Sequence, residues 1–226
     1  MQMKLNKLFL IVVILIIPIK NGLAQIEVAK IWNTLTININ SNNYRFYLEP
    51  QLRVQDAPNP LDQFLNNIGV GYRVLPSLTV WVGTTSLIIG SLTANVPDRT
   101  EFRTWQQSVL AGKVNQYNLQ LRSRLEERRR DNFSALNYRF RNRLTINRPF
   151  YKSLNWVWYD EFFINLNRPI WITSNTIEQN RFLIGINQKA SKTFTVGVGY
   201  LNQYIFTKPR IIGHVASLFA QIEIDG

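Results

Sequence analysis

The sequence predicts an all-β chain, a single antiparallel up-and-down transmembrane β-barrel of about 10–12 strands. Three observations carry this expectation. Segments of about 10–13 residues recur with apolar side chains at every second position, the period of a strand with one greasy and one polar face. Short and long connections alternate between them. A secretory leader precedes them all.

The leader comes first. Lys4 and Lys7 form a basic start, Leu8 to Ile17 an unbroken apolar run, and Gly22-Leu23-Ala24 places small residues before Gln25. That is the layout of a signal peptide, and the run is short of the roughly 20 apolar residues that span a bilayer. Residues 1–24 are therefore expected to be removed, leaving 25–226 as one outer-membrane barrel domain.

The strand pattern is clearest over Tyr44–Gln55. Tyr44, Phe46, Leu48, Leu52 and Val54 fall on one face, with Arg45, Tyr47, Glu49, Gln51 and Arg53 on the other. Pro50 has no donor for the ladder and predicts a bulge or a weak point. The same alternation returns at 117–128 and 136–147. Further segments are 27–39, 64–74, 78–89, 101–113, 154–166, 176–188, 193–206 and 213–224. Short connections fall at 40–43, 76–77, 115–116, 149–153 and 189–192, and long ones at 56–63, 90–100, 129–135, 167–175 and 207–212. Segments of this length cross a bilayer when tilted, and alternating turns and loops fit an outer-membrane barrel. Eleven segments conflict with the even number usual in bacterial barrels, and 27–39 has the weakest alternation. Gly83, Gly197 and Gly199 sit inside strands, where glycine predicts bulges or curvature.

Composition excludes much chemistry. With no cysteine and a single histidine, His214, the chain offers no disulfide, no thiolate and no multi-histidine zinc site. No metal and no cofactor is expected. Ser217 lies three residues from His214 on one strand and so faces the other way; only Ser86 or Ser108 could reach it, by a fortunate register. The expectation is a non-enzyme, with an outer-membrane lipid hydrolase as a minor alternative and a soluble periplasmic ligand-binding barrel as the main one.

Charge points inward. Without the leader the chain keeps 23 of its 26 basic residues and all 14 acidic ones, a net charge of +9. An exported chain does not meet nucleic acid, so the placing of the charge decides its meaning. If the greasy face meets lipid, the polar face lines a lumen. Alternation places Arg45, Arg53, Arg73, Arg103, Arg122, Arg124, Arg128, Arg139, Arg141, Arg143 and Arg181 there, against Glu49, Glu101, Glu126 and Glu161, a surplus near +7. Arginine cannot shed its proton, so each must be paired, hydrated or bound to an anion. Two roles follow: interlocked ion pairs that fill a narrow barrel, or a narrow pore that prefers anions. The expected partners are outer-membrane lipid, the export and barrel-assembly machinery and small anions, with the barrel itself a monomer in the cell outer membrane.

A set of motifs runs through these strands: Glu49-x-Gln51-x-Arg53, Gly69-x-Gly71-Tyr72, Glu101-x-Arg103-x-Trp105-Gln106-Gln107, Arg122-x-Arg124-x-Glu126-x-Arg128, Arg139-x-Arg141-x-Arg143, Glu161-x-Phe163, Gln179-Asn180-Arg181 and Gly199-Tyr200-Leu201-Asn202-Gln203. In this order they resemble the bacterial family known as domain of unknown function 2490, from Trp32 to about Ile222. The resemblance implies an exported outer-membrane barrel and adds no activity. The chain departs from the pattern at Asp225-Gly226, where an aromatic end is expected.

Overall fold

The computed structural model describes residues 25–91 and 96–226; the leader read at 1–24 lies outside them. Among the described residues there are eleven strands and no helix. They are β1 (Gln25–Ser41), β2 (Tyr44–Gln55), β3 (Leu61–Leu75), β4 (Leu78–Ile89), β5 (Arg99–Val114), β6 (Tyr117–Arg130), β7 (Asn137–Tyr151), β8 (Leu154–Asn165), β9 (Ile177–Lys189), β10 (Phe194–Ile205) and β11 (Arg210–Asp225).

Each strand pairs antiparallel with the next, and β1 closes the barrel by pairing parallel with β11. The parallel seam follows from the count. With eleven strands alternating in direction, the first and last must run the same way. This corrects the even-number expectation and makes the barrel mostly, not wholly, antiparallel. Weakly patterned β1 is a full wall strand, in register with β11 from Gln25↔Arg210 to Asn40↔Asp225.

Connections sort by rim. Short turns at 42–43, 76–77, 115–116, 152–153 and 190–193 share one rim; longer connections at 56–60, 131–136, 166–176 and 206–209 share the other, where β4 ends and β5 begins. Asn42 and Asn115, both at φ 52°, supply left-handed corners, a conformation asparagine tolerates. β1 starts at the loop rim and β11 ends at the turn rim.

The pleat sends apolar residues out and polar ones in. On β2, Tyr44, Phe46, Leu48 and Leu52 are exposed while Arg45 and Arg53 are buried. Pro50 does weaken the ladder: β1–β2 pairing skips from Thr34↔Gln51 to Ile37↔Leu48, with no change of register. Bulges fall elsewhere, at Arg53/Val54, Arg73/Leu75, Pro149/Tyr151 and Phe163/Ile164.

An interior this narrow is largely filled by side chains. On the side of β8–β11 and β1, Trp32, Val157, Leu183, Leu201 and Val215 form an apolar cluster backed by Tyr159 and Phe219. On the side of β2–β5, Tyr47 meets Trp81 and Trp105 edge-on, at centroid distances of 6.1 and 6.4 Å. The indoles lie against a glycine-lined wall. A Cβ on Gly71 would fall 2.5 Å from Trp81 Cδ2, and one on Gly83 would collide with the Trp105 ring. Gly83 and Gly197 therefore make room for Trp105 and Phe219 in unbroken ladders, and do not mark the bulges that their positions suggested.

Candidate functional site: the arginine-lined interior

The remaining interior space is a cavity of about 480 Å³. Its walls carry ten arginines and four glutamates, with Glu126 fully buried behind them. Most of these arginines sit on β5–β7, where alternating positions from neighbouring strands face each other: Arg103↔Arg128, Arg122↔Arg143 and Arg124↔Arg141. Like charges opposite one another in a dry wall need interleaved carboxylates.

Four glutamates provide them, and each bridges two or three strands. Glu101 accepts from Arg103 Nε and Arg128 Nε at 2.7 Å and reaches Arg130 at 3.4 Å. Glu126 accepts from Arg139 Nε at 2.9 Å and Arg141 Nη1 at 2.7 Å, with Arg124 3.8 Å away. Glu161 binds Arg122 at 2.5 Å and Arg141 at 2.9 Å. Glu178 ties Arg139 at 2.9 Å to Arg128 at 3.4 Å. Seven arginines are thus knitted to four carboxylates in one continuous lattice, where forked guanidinium geometry suits shared carboxylates.

Three cavity arginines stand outside it. Arg53 donates to Gln63 at 2.7 Å and Gln51 at 2.6 Å, and lies 4.0 Å from the Trp32 ring centroid. Arg181 donates only through Nε, to Gln179 at 3.1 Å. Arg143 rests 5.2 Å from the Tyr159 centroid, and its buried Nε has no acceptor.

Of the residues that alternation assigned to the lumen, Arg53, Glu101, Arg103, Arg122, Arg124, Glu126, Arg128, Arg139, Arg141, Arg143, Glu161 and Arg181 lie in this interior. Three depart from the expected role. Arg45 is buried at the turn rim, where its Nη1 caps the carbonyls of Asn42 and Tyr44 at 2.9 and 2.6 Å, away from the cavity. Glu49 lines the cavity but binds no arginine: Gln51, Asn67 and Thr36 donate to it at 2.6, 3.2 and 3.1 Å. Arg73 is exposed.

Alternation missed three members. Arg130 continues the Arg122–Arg128 series, two residues beyond the expected strand end at 128. Glu178 points inward only because the bulge at Phe163/Ile164 adds a residue beside Gln179 and re-aims it. Trp171 belongs to the loop 166–176 yet is 5% exposed. Its indole lies 4.7 Å from Arg130 and 5.3 Å from Arg128, and its Nε1 donates to the Ala135 carbonyl at 2.8 Å. It covers the arginine lattice at the loop rim.

His214 faces outward, its Nδ1 2.7 Å from Tyr200 Oη, whereas Ser217 is buried on the inner face. Among the described residues no group of His, Cys, Asp and Glu is placed to hold a metal ion.

Fold and site together define a closed eleven-strand barrel with a buried arginine–glutamate lattice. The chain belongs to the family described as protein of unknown function DUF2490, whose model matches residues 29–211 and ends just inside β11. No curated protein and no solved structure matches it.

Proposed function

We propose that this chain is a monomeric, non-enzymatic barrel integral to the outer membrane, whose arginine-lined interior admits small anions along a narrow path. The observation that carries the membrane half is the outer surface. Phe46, Ile68, Val82, Phe102, Leu125, Tyr138, Ile184, Val198 and Leu218 are 40–60% exposed on strands around the circumference. A soluble monomer rarely exposes apolar patches beyond a few hundred Å², and a periplasmic ligand-binding barrel would turn that face inward. Aromatic residues gather near both rims, Tyr44, Tyr72, Phe150, Tyr151 and Trp156 at the turns and Phe64, Phe102 and Tyr138 toward the loops, as interfacial girdles do. Lipid and the assembly machinery are then its partners.

The anion half rests on the ten cavity arginines facing five interior glutamates. Unneutralised positive charge in a low-dielectric tube favours anions over cations. Two measurements test the two halves. Carbonate washing of membranes should leave the protein in the pellet, and release would defeat membrane integration. Planar-bilayer recording should give small events with a reversal potential shifted toward that of chloride; cation preference or silence would defeat the anion path.

A further inference from the structure

Three of the ten cavity arginines have no carboxylate partner, and two of them meet at one indole. Arg53 stands 4.0 Å and Arg181 4.8 Å from the Trp32 ring centroid, which keeps their guanidinium carbons within 8.8 Å of one another. Arg53 is 6% exposed and Arg181 8%. Two buried like charges at this separation repel strongly, and each has lost most of its water.

The surrounding residues hold the guanidiniums without neutralising them. Gln63, Gln51 and Gln179 offer amide oxygens, which orient a guanidinium and leave its charge intact. Glu161 faces Arg181 directly across the β8–β9 pair, yet its Oε1 accepts from Arg122 and Arg141. Both sites retain donor capacity. The Arg53 Nε is buried without an acceptor, and neither terminal nitrogen of Arg181 donates to a protein group. In the lattice on β5–β9, by contrast, every arginine has a carboxylate.

We infer that Arg53 and Arg181, beside Trp32, form a binding site for a small oxyanion of the phosphate or carboxylate class. Charge-assisted N–H···O bonds of about 2.7–2.9 Å put an oxyanion's central atom about 4 Å from each guanidinium carbon, so two guanidiniums sharing it stand about 8 Å apart or less. The bound of 8.8 Å on the pair beside Trp32 is compatible with that condition. The cavity of about 480 Å³ gives room for the ligand, and both arginines line it. Planar forks match oxyanions better than a halide, so the site binds phosphate in preference to chloride. This inference rests on the reading that small anions enter the interior; equilibrium binding tests it independently of conduction.

The experiment uses the full barrel in detergent micelles, titrated calorimetrically with inorganic phosphate and, separately, acetate, in chloride buffer, with tryptophan fluorescence as a second readout. Saturable binding of phosphate is expected, weakened about tenfold or more by Arg181→Gln and by Arg53→Gln. Arg148→Gln, at the turn end of β7 beside Tyr117, should leave affinity within about twofold. Folding of each variant is read from its unheated mobility on a detergent gel. If Arg181→Gln does not fold, Arg181→Lys decides, because it keeps the charge but loses the fork and should still weaken binding. No saturable binding of either anion by the wild type would overturn the proposal. So would unchanged affinity in the folded Arg53 and Arg181 variants, or equal loss in Arg148→Gln. Phosphate binding without bilayer conductance would uphold the site and defeat only the path.

Discussion

Asn40 near the end of β1 and Asp225 at the end of β11 are neighbours although 185 positions separate them, with Asn40 Nδ2 donating to Asp225 Oδ1 at 2.8 Å. Beside them the Gly226 amide donates to the Asn40 carbonyl at 2.8 Å. These contacts exist only if the odd-numbered barrel closes through a parallel seam. Because the chain has no cysteine, Asn40→Cys with Asp225→Cys gives a clean test. Paired Cα positions lie within disulfide reach, so mild oxidation of the folded protein should cross-link the two nearly completely, visible as a mobility shift reversed by reductant. Asn40→Cys with Ala220→Cys, five rows away along β11, should stay reduced. A ten- or twelve-strand closure predicts no cross-link in the first pair.

Outer and inner faces should respond oppositely to added charge. Ile184 faces outward in the middle of β9 and is 41% exposed. In a bilayer, Ile184→Arg should cost about 2–4 kcal/mol of folding free energy, the range for arginine near the midplane of a barrel's lipid face. Folding into liposomes followed by urea titration would measure it. In a soluble barrel the same exposed site would tolerate arginine within about 0.5 kcal/mol, so a neutral result would count against the membrane reading.

The degree to which the site was legible follows from how local each signal is. Strand alternation needs only a few neighbours, so Arg122, Arg124, Glu126 and Arg128 read directly as one face, as did Arg139, Arg141 and Arg143. Partner choice is not local. That Glu161 would serve Arg122 and Arg141, and leave Arg181 opposite it unpaired, depends on rotamers reaching across three strands. Glu178 was hidden for a different reason: a bulge shifts the alternation by one residue, and no glycine or proline in Glu178-Gln179-Asn180 signals it. Closure was the least legible feature of the fold. All eleven segments carry strand patterns, but pairing of the first with the last is decided by the count.

Glu126 is fully buried and holds Arg139 and Arg141, with Arg124 close by. Removing one partner of a buried ion pair leaves an uncompensated charge, a cost of about 3–5 kcal/mol. Glu126→Gln should lower stability by about that amount, measured by urea unfolding from liposomes. Arg139 and Arg141 keep Glu178 and Glu161, so Arg124 is the cation left without a carboxylate. Adding Arg124→Met removes it and should restore part of the loss; a double variant less stable than Glu126→Gln would show that the lattice is not the source of the effect.

Trp171 covers the loop rim by spanning two loops: it stacks beneath Arg128 and Arg130, contacts Phe133 at 6.4 Å between centroids and donates to the Ala135 carbonyl. Its contacts lie at the end of the barrel, and the wall ladders do not depend on it. Trp171→Ala should therefore leave the barrel folded while it loses the cation–π contacts, about 0.5–2 kcal/mol each. The functional effect should be larger than the structural one. With the indole gone, Arg128 and Arg130 face the loop-side solvent, and anions reach the lattice without passing a ring. Single-channel conductance should rise at least about twofold, with anion preference retained because the charge itself is unchanged. An unaltered conductance in a folded Trp171→Ala barrel would mean that the narrowest point lies deeper, among the Glu126 and Glu161 ion pairs, and that the loop cover does not control entry.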